Sequence, residues 1–152
     1  MAATVHAVVA EKLHAHAQRL TPTRRDIVDV LSTATGPLTI PEILAHRTGL
    51  AQSSVYRNLA VLEEAGVVHR MMTHDEFARY ELAEDLTGHH HHLVCMRCGR
   101  VDDLPASAAL EQSVAAAAEE AARVAGFRAQ HHRLDLLGIC ARCAPAPPGG
   151  SR

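Results

Sequence analysis

His89-His90-His91-His92-Leu93-Val94-Cys95-Met96-Arg97-Cys98 puts four imidazoles and two thiols into ten consecutive residues. Near the C-terminus, Cys140-Ala141-Arg142-Cys143 repeats the Cys-x-x-Cys spacing and uses the only other cysteines of the chain. Thiolates on adjacent backbone turns can reach one ion at about 2.3 Å, so two such pairs have the spacing of a closed tetrahedral zinc site. The pairs lie far apart in sequence, so an ion binding both would close a long loop and fix the end of its domain. A disulfide framework suits a short secreted chain. Here Met1 to Leu20 has charged residues and histidines, no clean apolar segment and no cleavage site, so no export signal is expected. A thioredoxin-like redox site would need a strand–helix context and would explain only one of the two pairs.

Working back from the cysteines, Leu93-Val94 reads as a strand. If its extended geometry reaches through His89, side chains alternate between faces. His89 and His91 then point one way and His90 and His92 the other, so four consecutive histidines would serve two metal sites. The bland alternative is a solvated histidine run or a tag, and an internal run abutting a Cys-x-x-Cys is poor ground for a tag.

The 152 residues suffice for one ordinary domain or two small ones. With 47% hydrophobic residues, 3% aromatic and no Trp, the core must be built from Ala, Val, Leu and Ile. Small subdomains of that kind gain from a metal clip or an oligomer interface. A net charge of −2 excludes a global basic field, so any DNA affinity must come from a local patch. No apolar run approaches the ~18 residues of a membrane span, and a cytoplasmic protein is expected.

Upstream, residues 4–19 carry Val5, Val8, Val9 and Leu13 at helical spacing. Thr21 or Thr23 can cap a second helix to about Ser32, with Ile27, Val28, Val30 and Leu31 as its apolar stripe. Thr39-Ile40-Pro41-Glu42 has the form of a capping box that opens a third helix to about Arg47. After Thr48-Gly49, Gln52 to Ala65 reads as a fourth helix stopped by Gly66. Helix, glycine-containing turn, helix is the helix-turn-helix layout. Val67–Met72 and Ala78–Leu82 flank a polar turn and read as a hairpin, which makes the module a winged helix. Gln52, Ser53, Ser54, Tyr56 and Arg57 lead the recognition helix as hydrogen-bonders for phosphates and base edges. The alternative is an ordinary amphipathic helix with a solvated polar face.

Residues 83–88 lose periodicity and read as a hinge. Beyond it come strands 93–95 and 100–104, a helix from about Ser107 to Ala125 closed by Gly126, and strands 127–129 and 132–137 before the second knuckle. The fold class expected is α+β: a DNA-binding domain over 1–82, a hinge over 83–88, a metal-binding domain over 89–143, and a disordered tail over 144–152.

Together Thr21…Arg24, Ser54-Val55-Tyr56-Arg57-Asn58-Leu59, Ala65-Gly66-Val67-Val68, Tyr80-Glu81-Leu82, the His89–Gly99 stretch, His131-His132-Arg133-Leu134 and Gly138–Cys143 resemble the ferric uptake regulator family of metal-dependent transcriptional regulators. The resemblance runs from about Leu20 to Cys143. It implies a homodimer with an N-terminal winged helix and a C-terminal α+β dimerisation domain. It further implies repression of metal-homeostasis or oxidative-stress genes through a palindromic double-stranded DNA operator, and no enzymatic activity.

The resemblance places structural Zn2+ on Cys95, Cys98, Cys140 and Cys143, and an additional site on His89, His91, Glu111 and His132. Because the chain is longer here than the family's pattern, Glu119 or Glu120 is an alternative to Glu111. A regulatory hinge site includes His90 and His92. The chain departs from the pattern there. Pro37 and Leu38 stand where iron-type members bring a His, and Ala83 stands where zinc-type members have a Cys. The expected hinge set is therefore His69, Glu81, His90 and His92, with His74 and Asp103 in reserve. A set without thiolates admits Zn2+, Fe2+, Mn2+ or nickel, and the zinc-like placement of His69 favours zinc. The bland reading of His69 is a solvent-facing histidine of the wing. Arg24, Tyr56 and Arg57 are expected to anchor DNA. Rivals are an iron-, manganese- or peroxide-responsive regulator, a metal-storage protein and, remotely, a zinc hydrolase. No His-Glu-x-x-His motif supports the last.

Overall fold

Local capping sets most of the helices of the protein, whose computed structural model describes residues 4–145. Thr4 caps α1 (Val5–Ala15), whose Val9 and Leu13 are buried. Thr21, not Thr23, caps α2 (Pro22–Thr33): its hydroxyl accepts from the Arg24 amide, and Pro22 occupies the first turn, where its missing N–H costs nothing. The expected capping box is present at α3 (Ile40–His46). Thr39 accepts from the Glu42 amide, and the Thr39 N–H donates to Glu42 Oε2 at 2.7 Å. Helix α4 (Gln52–Glu64) has no side-chain cap and ends before Gly66.

Strands β2 (Val68–Met72) and β3 (Ala78–Leu82) form the expected antiparallel hairpin. A short strand, β1 (Leu38–Thr39), adds to its far side, so the first sheet runs β1-β3-β2. The main core fills the space between this sheet and helices α1 to α4. It includes Leu13, Ile27, Val28, Ile43, Val55, Leu59 and Leu62, joined by Val68, Tyr80 and Leu82 from the hairpin. Helices packed beside a twisted hairpin make the winged helix, and the chain as a whole is α+β.

The stretch expected to be a hinge holds a one-turn helix, α5 (Glu84–Thr87). It is tied to α1 by Lys12 Nζ and Asp85 Oδ2 at 2.6 Å. The second sheet has order β5-β4-β6, built from β4 (His90–Cys95), β5 (Val101–Pro105) and β6 (Asp135–Gly138). β4 pairs antiparallel with β5 across the first Cys-x-x-Cys turn and parallel with β6. The parallel pairing requires the crossover that α6 (Ala108–Ala125) supplies.

The strand expected over 127–129 is absent. Those residues are exposed and irregular, with no neighbouring strand to accept them. The expected tail falls outside the described residues over 146–152. Among the described residues no helix is long and apolar enough to cross a membrane.

The two lobes touch directly. Met71 of β2 is buried against Val94 and Val101 of the second sheet. The Asp103 amide donates to the Thr35 carbonyl at 2.9 Å. At Gly36 a Cβ would collide with the Val101 carbonyl, so only glycine permits this approach.

Candidate metal centres and nucleic-acid interface

Among the described residues three separate groups of ligand-type side chains converge, and within each the candidate ligand atoms lie within 4.8 Å of one another. Cys95 ends β4, Cys98 sits on the turn that follows, and Cys140 and Cys143 occupy the turn after β6. Tetrahedral Zn–S bonds of about 2.3 Å would hold the sulfurs about 3.8 Å apart, and Cys98 Sγ and Cys140 Sγ stand 3.8 Å apart. The Cys140 amide donates to Cys95 Sγ at 3.3 Å. This bond and one from the Cys98 amide bring the Cys95 thiol down to about 6. Cys143 moves the other way, pushed up to about 12 by its bond to the neighbouring Cys98 and by burial. Four thiolates this close would repel one another, so the donor set suits a soft divalent cation in its midst.

The histidine run divides as strand alternation requires. His89 and His91 face α6, where His91 Nε2 lies 2.7 Å from Glu111 Oε1. His132 Nε2 lies 2.9 Å from His89 Nε2 and 3.2 Å from Glu111 Oε2. Two ring nitrogens facing each other at that distance need a shared proton or a cation between them. Bonding to His91 holds the Glu111 carboxyl below its ordinary range. Glu111 is thus the carboxylate at this cluster. Glu120 instead pairs with Arg123, and Glu119 is exposed.

On the opposite face, His90 Nε2 and His92 Nε2 lie 3.2 and 3.0 Å from the same oxygen, Glu81 Oε2. Glu81 comes from β3 of the N-terminal lobe, so this cluster spans both lobes. Asp103 is the fourth member, with Oδ1 at 3.7 Å from His90 Nε2. The β4–β5 register puts it directly opposite His92. His69, expected in this set, reaches only the other Glu81 oxygen, Nδ1 to Oε1 at 3.4 Å, and its side chain is 57% exposed. It does line a cavity of about 230 Å³ with Glu81, His90 and His92. His74, the other reserve, is exposed on the wing.

Burial alone would raise the Glu81 carboxyl, but bonds to His92 and His90 hold it below its ordinary range. Burial alone would lower both imidazoles. The Gly88 carbonyl and Glu81 outweigh this at His90, and Glu81 outweighs it at His92, so both are raised. Burial raises Asp103. These opposed shifts describe a site built for positive charge, whether protons or a cation.

Gln52, Ser53, Tyr56 and Arg57 project to solvent from α4. Ser54 is half-buried and is held by the Asn58 amide group, whose Nδ2 donates to the Ser54 carbonyl at 2.8 Å and to its hydroxyl at 3.2 Å. Arg24, expected to anchor DNA, does not reach the surface. It is 9% exposed, and its Nε, Nη1 and Nη2 donate to Asn58 Oδ1, the Arg19 carbonyl and Gln18 Oε1. The signal is present in the sequence: Arg24, Ile27, Val28 and Leu31 follow i, i+3, i+4, i+7, so Arg24 lies on the buried stripe. Asn58 links Arg24 to the recognition helix, a role that no local sequence pattern indicates.

The profile of the ferric uptake regulator family matches residues 15–137 of this chain. The ferric uptake regulation protein of Bacillus subtilis is 35% identical over 144 residues, covering 89% of this chain and 91% of that protein. The peroxide operon regulator of the same organism is 31% identical over 132 residues, covering 83% and 84%. Among solved structures, a zinc-bound manganese uptake regulator matches with a TM-score of 0.66 at 28% identity, over 87% of this chain and 98% of that one. The ferric uptake regulator of Helicobacter pylori matches with a TM-score of 0.73 over 95% and 94%, and at 22% identity it speaks for the fold alone.

Proposed function

The chain belongs to the ferric uptake regulator family of metal-dependent transcription regulators, and from that premise we propose that it is a homodimeric, cytoplasmic repressor that binds a palindromic operator when its interlobe centre is metal-loaded. The observation that carries this is Glu81. One carboxylate oxygen from the winged-helix lobe faces two imidazoles of the other lobe at 3.0 and 3.2 Å. Cys95, Cys98, Cys140 and Cys143 would hold a structural zinc, and His89, His91, Glu111 and His132 an additional ion. Glu81, His90, His92 and Asp103 would form the regulatory centre. There a divalent cation would supply the charge that binds Glu81 to His90 and His92 and fixes one lobe against the other.

Two carboxylates with two imidazoles make a harder donor set than the one expected with His69. Imidazole suits zinc as well as iron, whereas carboxylate oxygen suits manganese, so on the second carboxylate we assign the centre to Mn2+ or Fe2+. A zinc-responsive reading draws on His69, which lines the same cavity and lies near Glu81. Substitution separates the two. Asp103→Ala should abolish the metal response on the first reading, and His69→Ala on the second.

Dimerisation is supported by exposed apolar side chains on the second lobe. Leu136, Leu137 and Ile139 are 48–65% exposed around β6, an edge strand with one side unpaired. A two-fold dimer must present its recognition helices about 34–36 Å apart, or at a multiple of that, to read successive half-sites. A lobe free to pivot on α5 samples that spacing only part of the time, and apparent affinity falls by the same fraction. Gel shift of a palindromic operator selected from random duplexes tests the proposal. Binding should require Mn2+ or Fe2+ and be abolished by a chelator that spares the cysteine-bound zinc. Metal-independent binding, or no binding, would contradict it.

A further inference from the structure

Alternation gives the β2–β3 ribbon two faces. Val68, Tyr80 and Leu82 enter the helical core. The register pairs His69 with Glu81 and Met71 with Arg79 on the opposite face, toward the second lobe. One end of that face belongs to the metal centre. The other end has a contact that metal binding does not use.

Arg79 is only 5% exposed. Its Nη1 donates to Asp75 Oδ1 at 2.8 Å and Thr73 Oγ1 at 2.6 Å, and its Nη2 to Asp75 Oδ2 at 2.7 Å. The guanidinium beside Asp75 holds its carboxyl well below the usual carboxylate range. This pair would stabilise the wing turn equally well in solvent. Instead it is pressed onto Gly99, the turn residue after the first cysteine pair. There φ is +72° and a Cβ would fall on the Asp75 carboxylate. The wing tip is also acidic, with Asp75 beside Glu76, which suits a seat on protein better than one on phosphate.

We propose that Asp75 and Arg79 are positioning residues for operator binding: they latch the wing tip onto the cysteine knuckle without metal and set the angle at which the interlobe centre closes. The shared centre holds β3 at Glu81, and the latch holds it again two residues along, about 7 Å away. It adds to the restraint that the Gly36 and Met71 contacts place on rotation between the lobes. The buried Met71–Val94–Val101 cluster adjoins the latch, Met71 being the register partner of Arg79. The latch raises the fraction of molecules already in the competent arrangement before metal arrives, which lowers the metal needed.

The proposal rests on the regulatory assignment of the Glu81 centre only for its DNA readout. Asp75→Asn keeps the shape and the bond to Thr73 while removing the charge that holds Arg79. Small-angle scattering of the full chain, with structural zinc retained, should show wild type more compact than Asp75→Asn in chelator and the two alike with Mn2+. The variant should expand only without Mn2+. The Mn2+ concentration for half-maximal operator binding should rise about threefold or more. Gly99→Ala, whose Cβ would displace Asp75 and whose backbone is strained at φ +72°, should reproduce both effects, with zinc content and cooperative unfolding measured alongside to show that the knuckle is intact. Superimposable scattering from wild type and Asp75→Asn in chelator, or an unchanged Mn2+ midpoint, overturns the latch. If wild type binds no DNA under any condition, the regulator assignment fails and scattering alone decides the latch.

Discussion

A guanidinium enclosed by three protein acceptors cannot release counterions from DNA, and this separates Arg24 from Arg57. Arg57→Gln should reduce the slope of log affinity against log salt by about 0.9 for each phosphate left unneutralised, with thermal stability unchanged. Arg24→Gln should leave that slope at the wild-type value, lower overall affinity through the Asn58–Ser54 contacts, and depress the unfolding midpoint. Equal reductions of slope from the two variants would return Arg24 to the DNA interface. At this scale much of the candidate site was legible. The cysteine spacing and the alternation of His89 to His92 depend only on local geometry, and both groupings are present in the structure. Asp103 is less legible, because its place depends on the β4–β5 register that sets it opposite His92. No local pattern encodes that register.

Among the elements, α3 shows how closely a cap can define a helix. The reciprocal bonds of Thr39 and Glu42 satisfy two otherwise orphaned amides. Thr39→Ala should cost about 1 kcal/mol, measured by denaturant unfolding. A cost below a few tenths would show that packing of Ile40 and Ile43 alone holds the helix. The four N-terminal helices and the hairpin were legible because each extends for at least one full period of its pattern and most carry their own boundary signals. Two-residue β1 and one-turn α5 were not, since neither is long enough to show a period. The sequence pattern starts the last strand at 132, whereas β6 begins at Asp135. Its position is fixed by parallel pairing with β4, a contact across 43 residues between His92 and Asp135.

For the whole molecule, the titration of the interlobe centre predicts opposite pH trends with and without metal. Glu81 is lowered from its ordinary value of 4.5, so its contribution is present above that pH and lost as pH falls through the lowered value. His90 and His92 are raised from 6.5, so theirs is complete below 6.5 and lost as pH rises through the raised values. In chelator, stability from this centre should therefore be greatest between 4.5 and 6.5 and decline above it. With Mn2+ present, protons compete for the same nitrogens, so stability should rise over that upper range. Differential scanning calorimetry across pH, with and without Mn2+, reads both trends, and parallel curves would contradict the assignment.

On the proposed mechanism one centre shared between lobes governs DNA binding, and among the described residues Glu81 is the member of that cluster contributed by the winged-helix lobe. Titrating Mn2+ into wild type and Glu81→Ala, each with cysteine-bound zinc retained and a fluorescent operator present, tests this most directly. Wild type should show a saturable, metal-dependent rise in anisotropy. Glu81→Ala should remain folded and show no rise at any Mn2+ concentration that saturates wild type. A Glu81→Ala titration that overlays the wild-type curve would contradict the account.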